Sequence, residues 1–518
     1  TFNLLNAISY TLLADNLLIL FALALGAPPY CAAILGSLMY LGNAGVLLGR
    51  RTISRHGSTG NLSRAWLARS IIMILALAAP FALPFIGKDA AFWFMLLPAA
   101  AGFYAFRAAG LVSIQPLWGE ICEVGRARGR YIAELWNRAT LTGLATLTVM
   151  TLVTRYSDKL EIFQGILFLG IVSGIIAGWL VFKVKESETP RESAKKPIGD
   201  ATFAIREDQS IRNYIWANCA ACSSIAILAP IPLLMVKNGF GMADDQALIF
   251  VIIQLFGSIL GASINGQVIG HTGPRPLVVI HCLFLPVICA MLYFAPDDFS
   301  WFYFGLIFVI NGIAMSGVPM ALTNYSLNVM PEDKRVGLSL ISSVVGGLGA
   351  GVAGLLFTGG LLKLLSALGQ NGLDLYRWYL VWAFFFLLLL LLVIFRLKSL
   401  ADWGVKAVLG LLIAPRDIRT IYTINRLDEI ADTPETEDAG IEKLSSLKSN
   451  LSLDSLLESL ESPKYNVRRK ALVALHSQPD NDKITEALIR ECGRGNIPLL
   501  IWPLFKLVNG DWMTEFRG

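Results

Sequence analysis

The chain is dominated by twelve apolar runs of roughly 20 residues, the length at which an α-helix crosses a bilayer's hydrocarbon core. They lie at about 4–26, 29–49, 63–86, 90–118, 130–153, 162–183, 212–236, 244–266, 276–295, 300–328, 337–365 and 378–396, and we number them spans 1 to 12. In lipid no water satisfies backbone N–H and C=O groups, so segments this long close their hydrogen bonds internally, as helices. Of 518 residues, 55% are hydrophobic and 16% charged, whereas soluble domains carry about a quarter charged residues. An ordinary soluble globule is excluded. The net charge of +5 comes in short clusters between apolar runs, not on one stripe, which argues against nucleic-acid binding.

Cytoplasmic loops carry the excess of Lys and Arg, and here the even-numbered gaps are the basic ones. Arg50, Arg51, Arg55 and Arg64 follow span 2 without an acid; Arg126, Arg128 and Arg130 follow span 4; Arg275 follows span 8; Lys334 and Arg335 follow span 10. The odd gaps are balanced or acidic, with Lys88 beside Asp89, then Asp244 and Asp245, then Asp297 and Asp298. Both termini are therefore predicted to be cytoplasmic. Between spans 6 and 7 the composition turns charged and Pro-containing, which reads as a cytoplasmic linker dividing the spans six and six. The halves echo each other: Gly57 and Gly273 occupy matching gaps, as do Arg128 and Arg335. Repeated offsets of this kind indicate a duplicated six-helix unit.

After about Arg396 the chain becomes polar, and Leu453 to Pro479 reads as two short amphipathic helices broken at Ser462-Pro463. Helices this short bury an apolar face only by stacking on neighbours. The expected architecture is all-α: a polytopic membrane protein with a six-helix bundle at 1–184, a linker at 185–211, a second six-helix bundle at 212–396 and a small soluble helical-repeat tail at 397–518. The seven cysteines are spread through apolar context, as small buried hydrophobes are. The start lacks the order of a cleavable signal peptide.

With this layout, residues 4–396 resemble the major facilitator superfamily of secondary transporters. The family's loop motif reads G-x-x-x-D-x-x-G-x-R/K. The second copy here keeps Gly266, Gly273 and Arg275 but has Gly270 at the acid position; the first keeps Gly57 and has Ser54 there. The resemblance implies alternating access around a central cavity lined by spans 1, 4, 5, 7, 8 and 10. Gly57, Gly266, Gly273 and Arg275 are then the expected gating positions, and the missing acids depart from the charge relay of many members. Exporters in the family carry R-x-x-x-G in span 4; here Gly110 stands three residues after Arg107, and span 5 lacks the Gly-Pro antiporter motif. SPKYNVRRKALVAL (Ser462 to Leu475) resembles HEAT-type helical repeats, which implies a curved helical stack used for docking a cytoplasmic protein partner or for regulation.

Ionisable groups inside spans are costly and mark functional positions by default. Asp15, with Asn16 beside it, lies mid-span 1, where a carboxylate binds a proton, a sodium ion or a cationic group, or else bonds to a neighbouring helix. Arg107 in span 4 needs a cavity or a partner. Glu134 and Arg138 in span 5 are four apart, the spacing of an intrahelical ion pair, with Asn137 between them; Glu134 reads as a gate lock and the other two as solute contacts. The second half offers neutral groups: Gln254 and Asn311 as solute contacts, with Asn218, His281 and Asn324 as further candidates. His281 reads more readily as a packing histidine than as a proton carrier. Arg69, a few residues beyond Arg64, is expected to snorkel to the interface and is left outside the site.

No G-x-x-x-x-G-K-[ST] loop and no H-E-x-x-H occurs, so neither an enzyme activity nor a cofactor is expected. The resulting expectation is a multi-pass protein of a bacterial inner membrane, with the lipid bilayer as its surroundings, that moves a small polar organic solute on a proton or sodium gradient. The rival reading is a transporter-like sensor or scaffold that signals through the tail. A nucleotide exchanger would need several bases inside spans to hold phosphates, and only Arg107 and Arg138 qualify.

Overall fold

The computed structural model describes residues 2–14, 42–121, 126–156, 160–242, 244–400 and 403–430, with isolated positions between 17 and 38 and between 456 and 490. Asp15, Asn16 and most of span 2 lie outside the described residues. No strand occurs among those described, and every span that is described is helical. Phe2–Leu13 belongs to span 1 and Val46–Ile72 carries the end of span 2 into the start of span 3. Arg126–Tyr156, Leu160–Val181, Gln209–Leu228, Asp244–Thr272, Pro274–Tyr293, Trp301–Val329, Arg335–Gly354 and Gly372–Phe395 carry spans 5 to 12 in order. Among the described residues eight helical segments are long and apolar enough to cross a membrane, and one of them, Val46–Glu120, runs through spans 3 and 4 together. Outward-facing Phe85, Phe94 and Phe302 are 75–88% exposed. On helices long enough to cross a membrane, aromatic surface of that kind is suited to contact with lipid.

The duplication read from the loops recurs in the packing. Span 1 packs on spans 5 and 6, span 2 on span 4, and span 3 on spans 4 and 6; in the second half span 7 packs on 11 and 12, span 8 on 10, and span 9 on 10 and 12. Every pair reappears six spans later. Gly45 and Gly49 approach so closely that an added Cβ would come within 2.0 and 2.2 Å of the Ala105 and Ala109 carbonyl oxygens; at Gly257 and Gly261 it would lie 2.3 and 2.9 Å from Val309 and Ile313. Glycines four apart put their backbones on one helix face and let two helices meet at van der Waals distance.

The halves meet along span 5 on span 8 and span 2 on span 11, again related by the duplication. The mixed apolar clusters lie toward the linker: Val46, Ile53, Ala108 and Val112 with Ala194, Val336 and Leu340, and Ile132 and Ala133 with Ala262, Met320 and Leu327. Two large clusters, around Phe103 and around Phe308, each belong to one half. The chain divides into two compact units, Thr1–Trp403 and Gly404–Gly518. The second contains Val405–Ile413 and Pro415–Ile430 and an apolar cluster of Ile424, Leu456, Leu460, Leu472, Leu475 and Ile484.

Candidate functional site

Spans 1, 3 and 4 bring two guanidinium groups together. Arg69 stands twelve positions past the Gly57 turn, about 18 Å along a helix, and is 1% exposed. Its Nη2 donates to Asn6 Oδ1 at 2.7 Å, and Trp66 Nε1 donates to the same oxygen at 2.6 Å. The guanidinium lies over the rings of Trp66, at 4.3 Å, and Phe103, at 5.3 Å. This overturns the snorkelling expectation: the span 3 helix starts at the Gly57 turn, several residues before the apolar run, so Arg69 reaches the middle of the bundle. Arg107 of span 4 sits over the Tyr10 ring at 4.8 Å, and Tyr10 stacks on Phe103 at 6.4 Å. Among the described residues no carboxylate lies within ion-pair distance of either arginine; ring faces and one amide oxygen hold them.

Span 5 separates its three candidates. Asn137 turns to span 8 and donates to Ser263 Oγ at 2.8 Å, whereas Glu134 and Arg138 form their ion pair on an exposed face, at 55% and 61% exposure. On span 10, Asn311 is fully buried, and neither its Oδ1 nor its Nδ2 has a hydrogen-bond partner among the described residues. Gln254 on span 8 is half-buried, with its backbone carbonyl against Gly312. Asn218 donates to the Ser342 carbonyl at 3.2 Å and hydroxyl at 3.1 Å, joining spans 7 and 11. His281 is buried, with Nδ1 2.6 Å from the Leu277 carbonyl, and Phe284 and Gly317 pack on its ring from the same half.

At the linker end the loop positions take the geometry that a glycine permits. Gly57 has φ 79° and ψ 177°, and Gly273 has φ 76° and ψ 164°, a region closed to side chains bearing a Cβ. Each turn launches the next span. The first copy lacks its acid, yet a carboxylate is present: Glu186, from the linker, reaches back and accepts from the Thr59 backbone N–H at 2.9 Å. It lies where a Cβ on Gly57 would stand. Negative charge at a helix start is favourable because the first N–H groups lack intrahelical partners. Gly266 packs on Ala133 across the halves, and Arg275 donates to the Phe395 carbonyl at 3.3 Å, at the end of span 12. The paired Arg128 and Arg335 are both buried, and Arg335 lies against Gly119 of the first half. The linker helix Thr189–Lys195 straps the ends together. Ser193 Oγ accepts from the Val336 N–H at 3.3 Å, Lys196 pairs with Asp333 at 2.6 Å, and Arg50 donates to the Lys196 carbonyl.

The helical spans pack in two related sets joined by a strapped linker, and the family model described as Major Facilitator Superfamily matches residues 2–354. The chain belongs to that superfamily and is an integral, multi-pass membrane protein. Among solved structures it resembles the proton:xylose symporter XylE bound to 6-bromo-6-deoxy-D-glucose, at 14% identity and TM-score 0.57, covering 79% of this chain and 98% of that one. It also resembles the E. coli fucose:proton symporter FucP, at 12% and 0.56, covering 77% and 97%. A bacterial homologue of the iron transporter ferroportin in the outward-facing state matches at 13% and 0.57, covering 76% and 97%. No curated protein matches the chain.

Sequence reasoning missed Arg69, Asn6, Tyr10 and Glu186. Asn6 and Tyr10 are four apart and therefore share a helix face, a signal that was available. Glu186 is 127 positions from its partner Thr59, and nothing local announces it.

Proposed function

We propose that this protein is a secondary transporter that carries a small polar organic solute with an anionic group by alternating access, its linker side being cytoplasmic and closed in this conformation. The carrying observation is the pair Arg69, fully buried, and Arg107, half-buried, two guanidinium groups held by Tyr10, Phe103, Trp66 and Asn6 without an acid among the described residues. A cation inside the membrane is costly unless a counter-charge or polar partner meets it. A solute carboxylate, sulfonate or phosphate supplies that charge and gains charge-assisted hydrogen bonds in return. Asn311, whose buried amide has no partner among the described residues, and Gln254 complete the site from the second half, and Asn137 lines it from span 5. Asp15, five positions after Tyr10, is the proposed proton or sodium site; two of the similar folds belong to proton symporters by name. The tail's apolar cluster supports a HEAT-like stack that docks a cytoplasmic partner.

A thermal-shift series of small organic anions on the purified full chain tests the site. A stabilising anion is expected, with its effect lost in Arg107→Ala. Counterflow of the same labelled anion in proteoliposomes tests the mechanism: exchange supports transport, and saturable binding without exchange supports the sensor reading.

A further inference from the structure

A second basic site lies outside the proposed solute cavity. At the linker end, a recess of about 420 Å³ is lined by Leu47 of span 2, Arg50, Arg51 and Ser54 of the segment that follows it, Lys195 of the linker helix and Leu340 of span 11. It draws on the first half, the linker and the second half together. Arg50 is fixed, because it donates to the Lys196 carbonyl. Arg51 and Lys195 are exposed, and among the described residues neither has an acid within ion-pair distance. Three acids of the linker end are engaged elsewhere, Asp333 with Lys196, Glu188 with Arg191, and Glu186 with Thr59, and Glu192, one turn before Lys195 on the linker helix, is exposed and forms no ion pair among the described residues. Beside the cations, Leu47 and Leu48 are 60% and 55% exposed, so apolar surface adjoins the basic rim.

We infer that this recess binds a phosphate group, and that its source is the headgroup of an acidic phospholipid. Arginine forks match phosphate oxygens and the lysine adds a point charge, while the exposed leucines give an acyl chain a path into the bilayer. The basic side of a membrane protein also faces the leaflet richer in anionic lipid. Because the walls come from both halves and the linker, the anion binds this closed arrangement and stabilises it relative to any arrangement that separates spans 2 and 11. The inference does not depend on which solute is carried.

The test uses the full chain in nanodiscs of phosphatidylcholine, with and without phosphatidylglycerol. Phosphatidylglycerol is expected to bind and raise the melting temperature. Its affinity should fall about 25-fold in Arg51→Gln/Lys195→Gln, at about fivefold per basic group, and by less than about twofold in Arg55→Gln, an exposed charge outside the recess. Equal affinity in the double variant, or an equal loss in Arg55→Gln, overturns the proposal. In lipid-free detergent, sodium phosphate is compared with sodium chloride at equal ionic strength. Protection of the wild type by phosphate, lost in the double variant, supports the site with a free anion as its source; protection by the lipid alone supports the headgroup. Should the double variant fold poorly, maleimide labelling of Ser54→Cys, with all the bases intact, gives the same answer: phosphatidylglycerol or phosphate slows it if the site exists, and unchanged labelling by both overturns the proposal.

Discussion

Asn6 is a neutral residue that determines how a charge is buried. Its single oxygen accepts from both Arg69 and Trp66, so Asn6→Ala strands two buried donors at once. Each such loss costs about 1–3 kcal/mol, and a drop of roughly 2–4 kcal/mol is expected in unfolding experiments in detergent. Asn6→Asp keeps the acceptor and is expected to restore stability; wild-type stability in Asn6→Ala would show that Arg69 is held some other way. Arg107 contributes less to stability, since it rests on one ring face, and more to solute capture. Its replacement by Ala should weaken anion binding by about 10- to 100-fold, the value of a charge-assisted hydrogen bond, with little change in the melting point without ligand. Arg107 was legible in the sequence because a charge in an apolar run is conspicuous. Arg69 was not, because its depth depends on where the span 3 helix begins, and the apolar run starts several residues after the turn.

The elements with most bearing on the gate are the two glycine turns and the linker. Gly57 and Gly273 share a backbone conformation, so Ala at either position should cost about 1–3 kcal/mol in strain. Gly57→Ala should cost more than Gly273→Ala, because its methyl group also displaces Glu186; equal melting points for the two variants would remove Glu186 from the account of this turn. Lys196 and Asp333 pair in the open, at 40% and 52% exposure, and such pairs contribute less than about 1 kcal/mol to folding. Asp333→Asn combined with Glu186→Gln should therefore melt close to wild type. It should still free the linker end, read as faster thiol labelling of Ser339→Cys, a position 2% exposed in this arrangement. Unchanged labelling would mean that the strap does not hold the gate. The loop echo was visible from glycine spacing alone. The substitute acid was not, because Glu186 arrives from a separate segment through folding.

For the whole molecule the prediction concerns closure. Asn137 and Ser263 touch across the halves at 2.8 Å, so Asn137→Cys with Ser263→Cys should be bridged by a short bifunctional thiol reagent. Relative to the unbridged double variant, bridging by a reagent that forms disulfides is expected to stop solute exchange, with exchange restored by reductant; exchange that continues in the bridged protein would exclude alternating access about this contact. The amino-acid sequence by itself determined the helical, multi-pass character of the chain, the basic and acidic gaps and the glycines at the two turns. These follow from local chemistry: hydrocarbon thickness sets the length of an apolar run, and glycine alone tolerates the turn's backbone. Only the tertiary structure decided that Arg69 is buried beside Arg107's ring system, that Asn137 faces span 8 while Glu134 and Arg138 pair on an exposed face, and that a linker carboxylate caps span 3. Each of these depends on which faces of distant helices meet, and packing between elements fixes that choice, not the periodicity within any one of them.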